Sequence, residues 1–172
     1  MRRIIRDGAI VEDAWQHVDD EQTLPEGDVI VSHARWLAER ETLAAHSGRV
    51  GVRIDGDTPL DELLPMLDKL PLIALEFPAF KDGRCLSHAR LLRARHGYRG
   101  ELRAVGDVLR DQLAYMARVG INAFEVREDR SLEDALKAFD EFTGYYQLNP
   151  YGPTPRELRR QHIEQPARAA AS

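Results

Sequence analysis

The sequence predicts an α/β domain: a parallel sheet of about five strand–helix units behind an N-terminal β-hairpin. Three observations carry this. Asp7-Gly8 sits between two β-rich runs, Ile4-Ile5 and Ile10-Val11. Five short segments at 29–32, 50–55, 72–77, 101–105 and 122–127 read as strands. The stretches between them carry helical spacing, so the strands pair in parallel through right-handed crossovers.

The elements follow in chain order. Asp-Gly favours a hairpin because both residues tolerate positive φ. A loop runs to Leu24-Pro25-Glu26-Gly27. Leu60, Leu63, Leu64 and Leu67 then fit one helical face, with Thr58 as N-cap, Pro59 at the first helical position and Pro65 as a kink. Leu109, Gln112, Leu113 and Met116 repeat the pattern before Gly120, a C-terminal stop. Ser131 caps a last helix whose Leu132, Ala135, Leu136, Phe139 and Phe142 share a face. The expected organisation is one domain over 1–148, with hairpin and loop at 1–27 and the repeats at 28–148. Residues 149–172 form a tail, either a short helix or disordered, because three prolines in 150–155 end the pattern.

Strand patterning decides how the helices are distributed. Val50, Val52 and Ile54 alternate with Gly51, Arg53 and Asp55; the later strands alternate likewise. Each strand thus has one apolar face and one face carrying charge. Helices on one side only, over a sheet curled like part of a (βα)8 barrel, leave Arg53, Glu76, Arg103 and Glu125 together on the concave face. Neighbouring strands would then pair Arg53 with Glu76 and Arg103 with Glu125. The alternative is a flavodoxin-like doubly wound sheet, which buries these charges under a helix at a cost of several kcal/mol per imperfectly paired ion.

Composition bounds the function. With 24 Lys+Arg against 29 Asp+Glu the net charge is −5, which argues against a nucleic-acid partner. The longest apolar run, at 70–75, is too short to span a membrane. Asp7-Gly8 interrupts the basic start before a signal core forms, and the single cysteine, Cys85, suits a reducing compartment, so the expected location is cytoplasmic. One cysteine supplies no dithiol. There is no Gly-x-Gly-x-x-Gly after a strand, no Walker loop and no Cys/His cluster, so neither a cofactor nor a metal is expected.

Parallel α/β folds bind ligands at the C-terminal ends of their strands. The richest loop there holds Lys81, Asp82, Gly83 and Arg84; the next holds Gly106 and Asp107, followed by Arg110. Lys81, Arg84, Arg103 and Arg110 could together surround a small anion, with Glu76 or Asp107 as general base. The plainer alternative makes Asp82-Gly83 a turn, Asp107 a helix N-cap and the arginines solvent-facing ion-pair partners. Cys85 near a helix start is either an activated thiol or a small buried side chain. His88, the one histidine near this site, reads as a helical surface residue. Two uncovered sheet edges predict a homo-oligomer, a two-fold dimer in the first instance.

The block from Asp82-Gly83-Arg84 through Ala89-Arg90-Leu91-Leu92-Arg93 to Gly97-Tyr98-Arg99-Gly100-Glu101-Leu102-Arg103-Ala104-Val105-Gly106-Asp107-Val108-Leu109-Arg110-Asp111-Gln112 resembles a bacterial family, domain of unknown function 934. Arg118-Val119-Gly120-Ile121-Asn122-Ala123-Phe124-Glu125 and Tyr146-Gln147 fit the same pattern. The resemblance runs from about the hairpin to Gln147. Family genes accompany assimilatory sulfite reductase, and members carry an oxidoreductase label. The resemblance therefore implies an accessory protein of sulfite reduction that supports sulfite reductase, or another sulfur-assimilation protein, without a redox cofactor of its own. The alternative is a small-anion enzyme or sensor taking sulfite, sulfate or a phosphorylated metabolite. Where the family usually has a small residue this chain has Cys85.

Overall fold

Asp7 and Gly8 take φ of +50° and +79°, and the hairpin forms around them. β1 (Arg2–Arg6) pairs antiparallel with β2 (Ala9–Asp13). The computed structural model describes residues 1–79 and 81–140. Six further strands follow: β3 (Gln16–His17), β4 (Val29–Ser32), β5 (Val50–Ile54), β6 (Leu72–Phe77), β7 (Glu101–Gly106) and β8 (Ala123–Phe124). The helices are α1 (His33–Ala38), α2 (Arg40–Ala44), α3 (Arg84–Ala94), α4 (Arg110–Arg118) and α5 (Leu132–Lys137).

The eight strands lie in the order β2-β1-β8-β7-β6-β5-β4-β3. β3 to β8 are parallel throughout, and β1 runs antiparallel to β8. The expected array of five parallel strands, β4 to β8, is therefore present inside a larger mixed sheet. The outermost strands, β2 and β3, are separated in the chain by Ala14 and Trp15 alone. A flat eight-stranded sheet would hold its edges about 34 Å apart. Three peptide steps reach only about 11 Å. The sheet must therefore curl until its edges approach, and two contacts across its hollow show that it does. Asp13 at the end of β2 meets Arg103 on β7, and His17 on β3 meets Glu125 just beyond β8. Both edges end on the same stretch of chain, so the premise of two separate open edges does not hold.

One face of the sheet carries the main core. Val29, Val31, Val52, Ile54, Ile73, Leu75, Phe77, Leu102, Ala104 and Phe124 pack with Trp36, Leu43, Ala89, Leu92, Leu113, Met116 and Ala135 from the helices. A fully buried Val, Leu, Ile or Phe contributes about 1.5–3 kcal/mol, so this layer holds the helices to the sheet. The other face has only a small cluster: Trp15, Ile30, Leu72, Ala74 and Val105. Arg49 lies over the Trp15 ring at 4.9 Å. Helices thus cover one side, as the strand alternation implies, and the doubly wound alternative is set aside.

Four local expectations are corrected. The segment after β5 forms two 3-10 stretches, Leu60–Glu62 and Leu64–Lys69, in place of a kinked α-helix. Pro65 has no N–H to donate and crowds the preceding turn. Thr58 caps nothing; its hydroxyl and N–H bond Asp55 Oδ1 at 2.8 and 2.9 Å and close a turn. β8 stops at Phe124 although residues 122–127 alternate like a strand. Beyond it, Arg127 turns to Asp107 and Asp129. Asp107 is no N-cap; Leu109 holds that position before α4. Ser131 does cap α5, accepting from Asp134 N at 3.1 Å, and Gly120 follows α4 at φ +104°. Phe142, Tyr146-Gln147 and the 149–172 tail lie outside the described residues.

Gly106 ends β7 at φ +92°, and a Cβ there would sit 2.5 Å from Phe77 O. Gly106→Ala combines backbone strain with a clash against immovable backbone. It should destabilise by more than about 1 kcal/mol, seen as a lower midpoint in urea unfolding; an unchanged midpoint contradicts this packing.

Candidate functional site: an ion cluster beneath an arginine-lined cleft

β7 and β8 alternate, so Glu101, Arg103 and Glu125 point into the hollow while Leu102, Ala104 and Phe124 face the helices. Curling brings Asp13 to the same place. Arg103 is fully buried. Its Nη1 and Nη2 donate to Asp13 Oδ2 and Oδ1 at 2.9 and 3.0 Å, a two-pronged pair. Nε donates to Glu101 Oε1 at 2.7 Å and Nη1 also to Glu125 Oε1 at 3.0 Å. Arg2 adds contacts to Asp13 and Glu125 at 3.3 and 3.1 Å, and Arg6 reaches Glu101 at 3.7 Å. Three guanidinium groups therefore face three carboxylates. Buried charges are tolerable only when paired this completely.

The electrostatics follow the geometry. Burial opposes the charge of Arg103, but Glu101 and Asp13 more than offset it and its pKa rises. Burial also pushes the Glu125 carboxyl up. Burial is the largest single influence, but the hydrogen bond and charge of His17 together with the charges of Arg2 and Arg103 outweigh it and hold the carboxyl below its ordinary value of 4.5. His17 Nε2 lies 2.9 and 3.0 Å from the two Glu125 oxygens.

Glu125 also belongs to a cleft of about 660 Å³ at the C-terminal ends of β7 and β8. Arg2 and Arg3 line it from β1; Arg127 and Arg130 line it from the loop before α5, with Glu128, Asp129 and Ser131. Arg3, Arg127 and Arg130 are exposed and engaged in surface pairs, whereas Arg2 reaches down to the buried Asp13 and to Glu125. Arg3 contacts Glu133 at 3.1 Å, Arg127 contacts Asp107 and Asp129 at 3.1 and 3.0 Å, and Arg130 contacts Asp129 at 3.7 Å.

The residues singled out in sequence divide between separate places. Arg53 and Glu76 face each other at 3.7 Å on the concave side. Arg84 pairs with Asp57 and with Asp82 at 2.8 Å. Gly83 precedes α3 without a side-chain cap, and Lys81 is exposed with no ion pair among the described residues. Arg110 contacts Asp134 of α5 at 3.5 Å. The convergence of Lys81, Arg84, Arg103 and Arg110 on one anion is corrected accordingly. Arg103 spends four N–H groups inside the hollow, and Arg84 and Arg110 stand outside it beside different partners, Asp57 and Asp82 for one and Asp134 for the other. Glu76 and Asp107 are not among the residues lining the cleft.

Cys85 is buried, its Sγ 3.2 Å from Glu76 O. Burial, aided by Asp55 and Asp82, pushes the thiol up to about 12. It is an inert core thiol. His88 is half-buried, and both ring nitrogens are screened from water without a hydrogen-bond partner among the described residues, so it is not a surface histidine. Among the described residues no group of three His, Cys, Asp or Glu side chains is arranged to hold a metal, and no helix is long and apolar enough to cross a membrane.

Sequence reasoning missed Arg2, Arg3, Arg127 and Arg130. The rule that ligands sit at strand C-termini points to Arg127 and Arg130 but not to Arg2 and Arg3, which begin the antiparallel β1. Extending β8 through residue 127 hides the first pair, because Arg127 then reads as a strand residue.

Two outcomes check this site. Native Cys85 should resist iodoacetamide at pH 8 and react only once the chain is unfolded, by mass spectrometry; rapid native labelling contradicts its burial. Glu125 has a folded pKa below its unfolded value of about 4.5. Its stabilisation is thus complete above the unfolded pKa and is lost as pH falls through the folded one. Urea titrations from pH 7 to pH 3 should show Glu125→Gln losing less stability on acidification than the parent; parallel losses contradict it.

A search of curated proteins finds no match. A family model described as "Bacterial protein of unknown function (DUF934)" matches residues 51–156. That span begins at β5, later than the hairpin where the resemblance was expected to start, and it extends past Gln147 and Pro150. It covers more than half of the chain, including the block around Arg103 and Glu125. The chain belongs to the DUF934 family of bacterial proteins.

Proposed function

We propose that this chain is a non-redox accessory protein of assimilatory sulfur metabolism that binds a small oxyanion, or a metabolite carrying one, in the cleft beside β7 and β8. The observation that carries the binding reading is the set of four arginines, Arg2, Arg3, Arg127 and Arg130, around one cleft. Guanidinium forks match the oxygens of sulfite, sulfate and phosphate. Arg3 and Arg130 pair with the exposed Glu133 and Asp129, and Arg127 with Asp129 and the half-buried Asp107; exposed pairs are worth only about 0–1 kcal/mol. An oxyanion can displace such partners at little cost. It could not displace Asp13 from Arg103, because that would strand a buried charge.

Size narrows the ligand. The cleft of about 660 Å³ falls in the usual range for small-molecule sites, about 300–1,000 Å³. A bare sulfite fills only a fraction of it, so a metabolite bearing the oxyanion fits better. The sulfur context comes from the family resemblance. The same reading places the chain in the cytoplasm, next to sulfite reductase or another sulfur-assimilation protein, as a homo-oligomer.

Thermal unfolding with sulfite, sulfate and inorganic phosphate tests the binding. At least one should raise the midpoint with the logarithm of its concentration, adding about 2.7 kcal/mol of stability at a hundredfold excess over Kd. Arg127→Ala/Arg130→Ala should abolish the shift. A flat response to all three anions, or one that survives the double substitution, overturns the proposal.

A further inference from the structure

A second charged surface lies away from the cleft, on the helical layer. Residues 84–100 contain Arg84, Arg90, Arg93, Arg95 and Arg99, two histidines and no Asp or Glu, in a chain of net charge −5. Two of these arginines are committed. Arg84 pairs with Asp57 and Asp82. Arg93 turns inward and donates to the carbonyls of Gly120, Tyr98 and Gly100 at 2.9, 2.6 and 2.8 Å. Arg90, Arg95 and Arg99 remain exposed, with no ion pair among the described residues. Between them on α3 stand Ala94 and Leu91, the latter 40% exposed and one of few large apolar side chains in water.

We propose that the C-terminal end of α3 and the turn after it dock an acidic protein surface, with Leu91 as the apolar contact and Arg90, Arg95 and Arg99 meeting carboxylates around it. Arg90 near the end of α3, Arg95 at its C-cap and Arg99 just beyond are like charges close together in the chain, and they repel one another. A partner's carboxylates relieve that repulsion and steer the encounter, and Arg with a central apolar anchor is the composition of an interface core. Nucleic acid fits less well. The only aromatic ring of the segment besides its histidines, Tyr98, is buried and offers no stacking platform. Asp57, held against Arg84 where α3 begins, would meet a continuous polyanion with like charge. The proposal is independent of the cleft, which α3 does not line.

Fluorescence anisotropy of the full chain with three labelled probes decides it: an amphipathic helical peptide with Glu around a Leu stripe, its Lys counterpart, and a single-stranded oligodeoxynucleotide. The acidic peptide should bind saturably and more weakly in salt. Arg90→Glu/Arg95→Glu/Arg99→Glu should weaken it at least about tenfold and favour the Lys peptide. Leu91→Ala should weaken it without altering the preference. Circular dichroism confirms that these surface variants fold, and the cleft's response to oxyanions should be unchanged in them. Absent binding, equal binding by the triple variant, tighter binding of the oligonucleotide, or a dimer in light scattering that the triple variant dissolves would each overturn the proposal.

Discussion

The structure depends on the two-pronged pair between Arg103 and Asp13. Curling an eight-stranded sheet so tightly brings charged side chains into a space from which water is excluded. An unpaired guanidinium there would cost several kcal/mol. Asp13 reaches it because two residues, Ala14 and Trp15, carry the chain from one edge of the sheet to the other. The same short link forces the curl and delivers the carboxylate that makes the curl tolerable. Glu101 and Glu125 occupy most of the remaining donors, and Trp15 fills the adjoining space against Ile30, Leu72, Ala74 and Val105.

This arrangement separates two kinds of charge. Those in the hollow are saturated and fixed; they set shape. Those on the rim are exposed, weakly paired and able to exchange partners. Glu125 connects the two, because it meets Arg103 below and lines the cleft above. His17 and Arg2 hold it ionised, so its charge is already answered before an anion arrives. An arginine in this protein can therefore be assigned by burial: Arg103 is architectural, whereas Arg127 and Arg130 can serve a ligand.

The alternation of Arg103 with Leu102 and Ala104 made the two-faced sheet legible, and Asp7-Gly8 made the hairpin legible. Local chemistry controls both. The curl was only partly legible. Strand alternation reports which face is buried but not where an edge goes, and Gln16-His17 is too short to signal a strand. Partners of a charge were harder still. Arg53 and Glu76 face each other across adjacent strands, so sequence order suggests the pair. Asp13 lies ninety positions from Arg103, and no periodicity connects them. An anion site built on Lys81, Arg84, Arg103 and Arg110 treats Arg103 as available, whereas Asp13 already claims it. Cleft arginines far apart in the chain, Arg2 and Arg127, meet only because β1 inserts beside β8.

A double-mutant cycle on Asp13→Ala and Arg103→Met, read by urea unfolding, tests the central claim most directly. Each single variant deprives a buried charge of its two-pronged partner, leaving only weaker contacts, and should lose about 3–5 kcal/mol. The double variant should lose far less than the sum, giving a coupling of at least about 2 kcal/mol. Additive losses, or single variants as stable as the parent, would show that the sheet closes without this pair.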